Sequence, residues 1–99
     1  MGSAWPILDH DGEWYAPIGL WTYAKVEVQF ERLRTKKPFE NEALRREFLE
    51  RLNAIPGVAI PSDAINRRPS FFLTELQDEQ HLNTFLGTLG WFYDRVLEP

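Results

Sequence analysis

Residues 24–30 read Ala-Lys-Val-Glu-Val-Gln-Phe, a stretch in which apolar and polar side chains alternate from the third residue onward. In an extended chain, every second side chain points to the same face, so the apolar residues fall on one face and the polar ones on the other. The stretch therefore predicts a half-buried strand with one face toward solvent. Residues 32–35 are expected to curl away from the sheet after this strand.

Beyond Asn41 the apolar residues recur every three or four positions, which is the spacing of one face of an α-helix. The residues at this spacing are Leu44, Phe48, Leu52 and Ile55. Asn41 is a residue type that commonly caps a helix N-terminus, and Pro56-Gly57 is typical of a helix end. The charged side chains of the segment, Arg45 among them, are expected on the solvent face.

A second amphipathic helix is predicted after Asp78, a suitable N-cap. Its apolar stripe contains Leu82, Phe85, Leu86, Leu89, Phe92 or Tyr93, and Val96. Gly87 and Gly90 each cost about 1 kcal/mol relative to alanine inside a helix. We therefore expect close packing of the sheet or of a partner against these glycines, or a kink.

The remaining segments complete an α+β order of strands, helix, strand and helix. Residues 5–8 and 13–16 flank an Asp-Gly turn typical of a hairpin. Residues 61–65 indicate one helical turn capped by Ser62, and residues 70–73 another strand. The sequence predicts a single α+β domain over residues 1–99, a two-layer sandwich with a mainly antiparallel sheet and two helices packed on one face.

The composition excludes several classes of protein. The 99 residues can form one compact core but no second domain. The absence of cysteine excludes disulfides, thiolate nucleophiles, cysteine-ligated zinc and iron–sulfur clusters. No apolar run reaches the length of a membrane span, and the start lacks the pattern of a signal peptide. A cytoplasmic protein without membrane contact is the simplest interpretation.

Basic residues concentrate in the middle of a chain whose net charge is -4. Residues 24–55 carry eight basic and six acidic side chains, whereas both flanks are acidic. Such side chains either form a solvated surface or neutralise the phosphates of a nucleic acid. The residues assigned to phosphate contact in that alternative are Arg32, Arg34, Lys36, Lys37, Arg67 and Arg68. Phe39 is expected to anchor this segment to the core.

Aromatic residues make up 14% of the chain, more than one small core needs. Trp91, Phe92 and Tyr93 are consecutive on a predicted helix, so at least one of them should lie near the surface. Exposed Trp and Tyr either lie along the domain with a wet polar edge or mark a protein interface. The leading hypothesis is a non-enzymatic interaction module, open to self-association or a protein partner. Its predicted interface lies around Trp91 and Tyr93 or in the region that contains Trp14, Trp21 and Tyr23.

A metal-dependent nuclease is a third hypothesis. Glu27 and Gln29 share one face of the predicted strand, and Asp9 or Asp11 could supply a second carboxylate for Mg²⁺. The pattern Glu-Val-Gln lacks the lysine of the Glu-x-Lys strand of metal-dependent nucleases, and any half-exposed strand shows the same alternation. No catalytic residue, metal site or cofactor is therefore assigned.

Four segments resemble a C-terminal module of larger, uncharacterised bacterial proteins. They are Val26-Glu27-Val28-Gln29-Phe30, Leu52-Asn53-Ala54-Ile55-Pro56-Gly57-Val58, Arg68-Pro69-Ser70 and Leu89-Gly90-Trp91-Phe92. The resemblance covers nearly the whole chain and transfers no catalytic residue. It implies an accessory domain of a larger protein, a vector-derived origin for residues 1–3, and an association with bacterial defence or nuclease-type proteins.

Overall fold

A computed structural model describes residues 3–4, 8–10, 13–15, 17–21 and 24–98. The strands are β1 (Ser3–Ala4), β2 (Leu8–His10), β3 (Glu13–Tyr15), β4 (Ile18–Trp21), β5 (Lys25–Val28) and β6 (Ser70–Phe72). The α-helices are α1 (Phe30–Leu33), α2 (Glu42–Asn53) and α3 (Glu79–Leu97). Two 3-10 helices cover Ser62–Asn66 and Leu73–Leu76.

The main sheet has four antiparallel strands in the order β1-β4-β5-β6, and β2 pairs with β3 in a separate hairpin. Val26 at its centre lies opposite Leu20 on β4 and Phe71 on β6. The predicted α+β class is confirmed. The predicted hairpin forms between β2 and β3, but its first strand is Leu8–His10, whereas residues 5–8 were expected.

The core lies between one face of the sheet and the helices. Ile18, Val26, Val28 and Phe71 are buried on the sheet side, and Phe48 and Phe92 are fully buried on α2 and α3. The alternation in residues 24–30 thus predicted the buried face of β5 correctly.

Phe39 lies in the loop between α1 and α2 and is fully buried. Its ring stacks on Phe92 with 4.6 Å between centroids and also contacts Phe48. Offset aromatic pairs of this kind each add about 1 kcal/mol beyond the area that they bury. The predicted anchoring role of Phe39 is confirmed.

The N-termini of both long helices follow from their caps. The Asn41 side chain accepts a hydrogen bond of 2.8 Å from the Ala43 N–H, and the Asp78 carboxylate accepts one of 2.8 Å from the Gln80 N–H. The side chains satisfy backbone donors that have no partner within the helix. Both predicted helix starts are confirmed.

Two predicted boundaries are wrong. The predicted strand 24–30 ends at Val28, because the Gln29 carbonyl accepts hydrogen bonds from the Arg32 and Leu33 N–H groups and begins the turn of α1. The helical turn at Ser62–Asn66 exists, but its N-cap is Pro61 and Ser62 makes no capping hydrogen bond. Ser62 lies inside the turn, one residue beyond the position expected for a cap.

Arg45 was expected on the solvent face of α2, and the structure buries it with 6% of its surface exposed. Its guanidinium donates hydrogen bonds of 2.9 to 3.0 Å to four oxygens. These acceptors are the carbonyls of Phe39, Glu40 and Ile65 and the side-chain amide of Asn66. Burial is tolerated because most of the donors are satisfied.

The expected packing of the sheet against Gly87 and Gly90 is wrong. A Cβ added at either position would meet nothing within 4 Å, and both residues are exposed. The apolar stripe of α3 is only partly buried as well, because Leu82 and Leu86 are 39% and 52% exposed. One side of α3 therefore carries apolar side chains that the core does not cover.

Candidate protein-interaction groove

A largely apolar groove of about 680 Å³ lies between β4 and α3. We call it the α3 groove. Among the described residues, its lining is Ile18, Leu20, Ala24, Leu73, Thr74, Leu76, Gln77, Leu82, Phe85, Leu86 and Leu89. Only Thr74 and Gln77 in this lining carry polar side chains, so the groove suits an apolar ligand surface.

The helical wall of the groove follows from the spacing of its leucines. Leu82, Leu86 and Leu89 recur at i, i+4 and i+7 and therefore lie along one side of α3. The core side of the same helix is turned slightly away and buries Phe85, Thr88, Phe92 and Val96. The apolar side of α3 is thus wider than the part that the core buries. Leu82 and Leu86 lie beyond the edge of the core and remain exposed.

Thr88 takes a core position that a leucine could have occupied. It is 4% exposed, and its hydroxyl donates a 2.9 Å hydrogen bond to the Thr84 carbonyl. This bond satisfies the polar group locally, within one helical turn. A threonine can therefore face the core while leucines lie outside it.

The opposite wall is the 3-10 helix Leu73–Leu76. The Leu73 N–H donates a 2.8 Å hydrogen bond to the carbonyl of Ala24, which joins this wall to the start of β5. Ala24 has a φ of 63°, a left-handed conformation that L-residues other than glycine rarely adopt. Leu76 is buried at the base of the wall, and Leu73 remains 42% exposed at its top.

The segment that supplies most of the groove lining is acidic. Residues 69–94, which supply most of its lining, contain Glu75, Asp78, Glu79 and Asp94 but no lysine or arginine. Asp78, Glu79 and Asp94 are exposed. The groove therefore has apolar walls, and the segment that builds most of it is net negative.

Two of the predicted interface aromatics lie on α3 and are half-buried. The Trp91 ring contacts Phe39 and Phe48, and the Arg51 guanidinium lies 4.7 Å from its centre on the other side. Tyr93 packs edge-on against Phe92, and burial raises the pKa of its hydroxyl above the ordinary value of 10.0. Trp91 is covered by Arg51, whereas Tyr93 lies one turn beyond Leu89.

The other predicted interface aromatics belong to the N-terminal third. Trp14 lies in β3 opposite Asp9, and Trp21 ends β4 opposite Lys25. Tyr23 is outside the described residues. The side chains of Trp14 and Trp21 are not among the described ones either, so an interface in this region stays a prediction.

The predicted phosphate-binding residues lie on two segments that meet. The Glu31 N–H donates a 3.0 Å hydrogen bond to the Arg67 carbonyl, so α1 contacts the segment after the first 3-10 helix. Arg67 pairs with Asp63 at 2.9 Å, and Arg68 approaches Glu31 at 3.9 Å. Acidic neighbours thus offset part of this charge.

The remaining phosphate-binding candidates follow α1 directly or lie within it. Arg32, Arg34 and Lys37 are exposed, and the Lys36 ammonium lies 5.9 Å from the centre of the Tyr15 ring. The two segments together form a surface of mixed charge.

Two of the candidate nuclease residues, Glu27 and Gln29, bond to each other. The Gln29 amide donates a 2.7 Å hydrogen bond to the Glu27 carboxylate, and Gln29 is fully buried. Asp9 lies in β2, and Asp11 is outside the described residues. Within the described ranges, no group of three or more His, Cys, Asp or Glu side chains could hold a metal ion.

Comparison with protein-family models, curated proteins and solved structures finds no match. Among the described helices, none has both the length and the apolar character needed to cross a bilayer. Evidence about the function therefore comes from the geometry of the α3 groove.

Sequence reasoning did not single out the groove leucines Leu73, Leu82 and Leu86. Leu82 and Leu86 were assigned to the core stripe, and Leu73 to the end of a strand. The sequence carried no signal for this exposure, because Leu82 and Leu86 fall with Phe85 in one apolar arc of about 120°, an ordinary width for a helix that faces a core.

Proposed function

We propose that this domain is a protein-interaction module that binds a partner through the α3 groove. The observation that supports the proposal is the clustering of exposed leucines. Among the described side chains, the large apolar residues that are exposed are Phe72, Leu73, Leu82, Leu86 and Leu97. Leu73, Leu82 and Leu86 line one groove, whereas exposed apolar residues on ordinary surfaces are scattered singly.

The groove also connects this proposal with the predicted aromatic interface. Tyr93 follows Leu86 and Leu89 at i+7 and i+4, so it continues the same side of α3. Tyrosine presents an apolar ring and a polar hydroxyl, a combination enriched at interfaces. We include Tyr93 at the end of the binding surface.

In the cell, we propose that this chain is a cytoplasmic accessory domain of a larger bacterial protein.

The test is a selection of peptide ligands from a random display library on the intact chain. Each ligand is then measured by fluorescence anisotropy against the wild type and Leu86→Glu. Leu86 is 52% exposed, so the variant should fold normally. Arg46→Glu serves as the matched control, because Arg46 lies on α2, partly exposed and outside the groove lining.

We expect the selected ligands to lose at least about tenfold in affinity with Leu86→Glu, because a carboxylate would be desolvated in the apolar groove. They should retain their affinity for Arg46→Glu. A library that yields no ligand, or ligands insensitive to Leu86→Glu, would contradict the proposal. Sedimentation at increasing concentration distinguishes a second copy of the chain as the ligand.

Nucleic-acid binding is the second candidate. In its favour, Arg67 and Arg68 lie next to α1, although they are distant from it in sequence. We expect any such binding to weaken with salt and to be lost when Arg34 and Lys37 are both changed to alanine. A gel shift that is unchanged by added salt and by the double alanine variant would contradict this candidate.

A further inference from the structure

We infer that the partner segment is a short amphipathic helix with lysine or arginine next to its apolar face. This inference rests on the proposed function of the α3 groove. The helical wall supports it first. Leu82, Leu86 and Leu89 form a ridge about 10 Å long, which corresponds to two turns of a helix. The ridges of one helix pack into the grooves of another, and an amphipathic helix laid in an apolar groove is a recurring mode of recognition.

The opposite wall leaves room for such a helix. Leu73 at the top of the wall is exposed, whereas Leu76 at its base and Phe85 on α3 are buried and form the floor. Side chains from one face of a helix could therefore reach a floor and two walls that are all apolar. Thr74 and Gln77 contribute polar atoms to the lining.

The charged residues near the ridge indicate which polar side chains a partner should carry. Glu79 precedes Leu82 by three residues and Leu86 by seven, so the carboxylate lies on the same side of α3 as the leucines. Asp78 is adjacent to it at the helix cap, and Asp94 is exposed further along α3. A cationic partner would meet Asp78 and Glu79 at the N-terminal end of the ridge, whereas Asp94 lies roughly 100° around α3 from the leucines.

Lys25 does not cancel the negative charge of this segment. Lys25 follows Ala24 of the lining, and its ammonium lies 5.1 Å from the centre of the Phe72 ring. Residues 69–94 supply no other cation of the lysine or arginine type. Opposite charges across an interface increase association rates and reject partners of like charge.

The same charges argue against a second copy of this chain as the occupant. Two α3 ridges packed face to face would bring together two copies of the segment 69–94, which has four acidic side chains and no lysine or arginine. Like charges placed together oppose association. A basic helix avoids this repulsion and keeps the apolar contact.

The experiment uses two labelled synthetic peptides of about 15 residues, a length at which a good helix former has appreciable helix content. Both carry leucines at i, i+3, i+4 and i+7, and they differ only in having lysine or glutamate at the flanking positions. Binding to the intact chain is measured by fluorescence anisotropy in about 0.1 M and about 0.5 M NaCl, because added salt screens exposed charges.

We expect the lysine peptide to bind at least about tenfold more tightly than the glutamate peptide at the lower salt, with the ratio falling at the higher salt. Glu79→Gln should weaken the lysine peptide about two- to fivefold and leave the glutamate peptide unchanged or improved. Leu86→Glu should abolish binding of the glutamate peptide and weaken that of the lysine peptide.

Equal binding of the two peptides would overturn the inference and leave the interaction module intact. Binding of the lysine peptide that ignores Leu86→Glu would also overturn it, because the peptide would then bind outside the groove. If neither peptide binds while the display selection yields groove ligands, the partner is not a basic helix. If both experiments fail, the proposed function fails with the inference.

Discussion

The Nε–H of Arg45 on α2 donates a 3.0 Å hydrogen bond to the carbonyl oxygen of Ile65, and this contact joins the helix to the first 3-10 turn. The same guanidinium bonds to three further oxygens. Arg45→Ala would leave all four acceptors without this donor and remove buried packing. We expect a loss of about 3 kcal/mol in the free energy of unfolding, measured by urea denaturation.

Arg45→Met separates the two contributions. Methionine retains most of the apolar stem but has no donor, so its loss should be smaller than that of alanine and still exceed about 1 kcal/mol. Arg46→Ala is the control, because its exposed pair with Glu42 contributes less than about 0.5 kcal/mol. Equal stability of Arg45→Ala and Arg46→Ala would contradict the role assigned to Arg45.

The glycines of α3 predict a gain in stability. A methyl group at Gly87 or Gly90 meets nothing within 4 Å, and neither residue has a positive φ. We expect Gly87→Ala and Gly90→Ala each to raise the free energy of unfolding by about 1 kcal/mol. Thermal denaturation by circular dichroism measures the shift.

Gly57→Ala is the opposing control. Gly57 has a φ of 89°, and its added methyl group would also collide with the Glu75 carboxylate. We expect a loss of about 1 kcal/mol or more. A stabilising effect at Gly57, or a destabilising one at both α3 glycines, would refute this account of the backbone.

Asn53 forms a two-way bond with the backbone of Ile60. Its amide donates to the Ile60 carbonyl at 2.9 Å, and the Ile60 N–H donates to its side-chain oxygen at 2.7 Å. Because Ile60 is buried, Asn53→Ala should cost about 2 kcal/mol. The control is Asn83→Ala on the exposed side of α3, and a similar loss in both variants would contradict the prediction.

Tyr93 predicts a loss of stability in alkali. Burial raises the pKa of its hydroxyl above the unfolded value of 10.0, so the native state retains a proton that the unfolded state releases. This contribution is fully present below pH 10 and is lost as the pH rises through the raised native pKa. Urea denaturation from about pH 9 to pH 11 measures it. Tyr93→Phe should lose less stability over that interval, and an unchanged slope would contradict the prediction.

Local sequence determined the helix starts, and longer-range contacts determined what the helices bury. Asn41 and Asp78 cap their helices through bonds to residues two positions away, so their roles were visible in the sequence. Arg45 finds its acceptors in Ile65 and Asn66 only after the chain has folded. A charged residue type therefore suggested solvent where the structure has core.

The candidate groove could not be predicted from the sequence for a related reason. Periodicity identified the apolar side of α3 but did not show how much of it the sheet would cover. Leu86 and Phe85 are neighbours of similar hydrophobicity, yet one is 52% exposed and the other 5%. The difference depends on where β4 ends and where the 3-10 helix Leu73–Leu76 begins, and both positions are set by tertiary packing.

The pairing of Val26 with Phe71 has a consequence for the growing chain. β5 and its partner β6 lie on opposite sides of α2 in the sequence, so β5 is synthesised long before β6 can pair with it. Until then β5 has an open hydrogen-bonding edge and an apolar face, which together favour aggregation. A fragment that ends before residue 70 would keep that edge permanently, and we expect it to precipitate when the whole chain remains in solution.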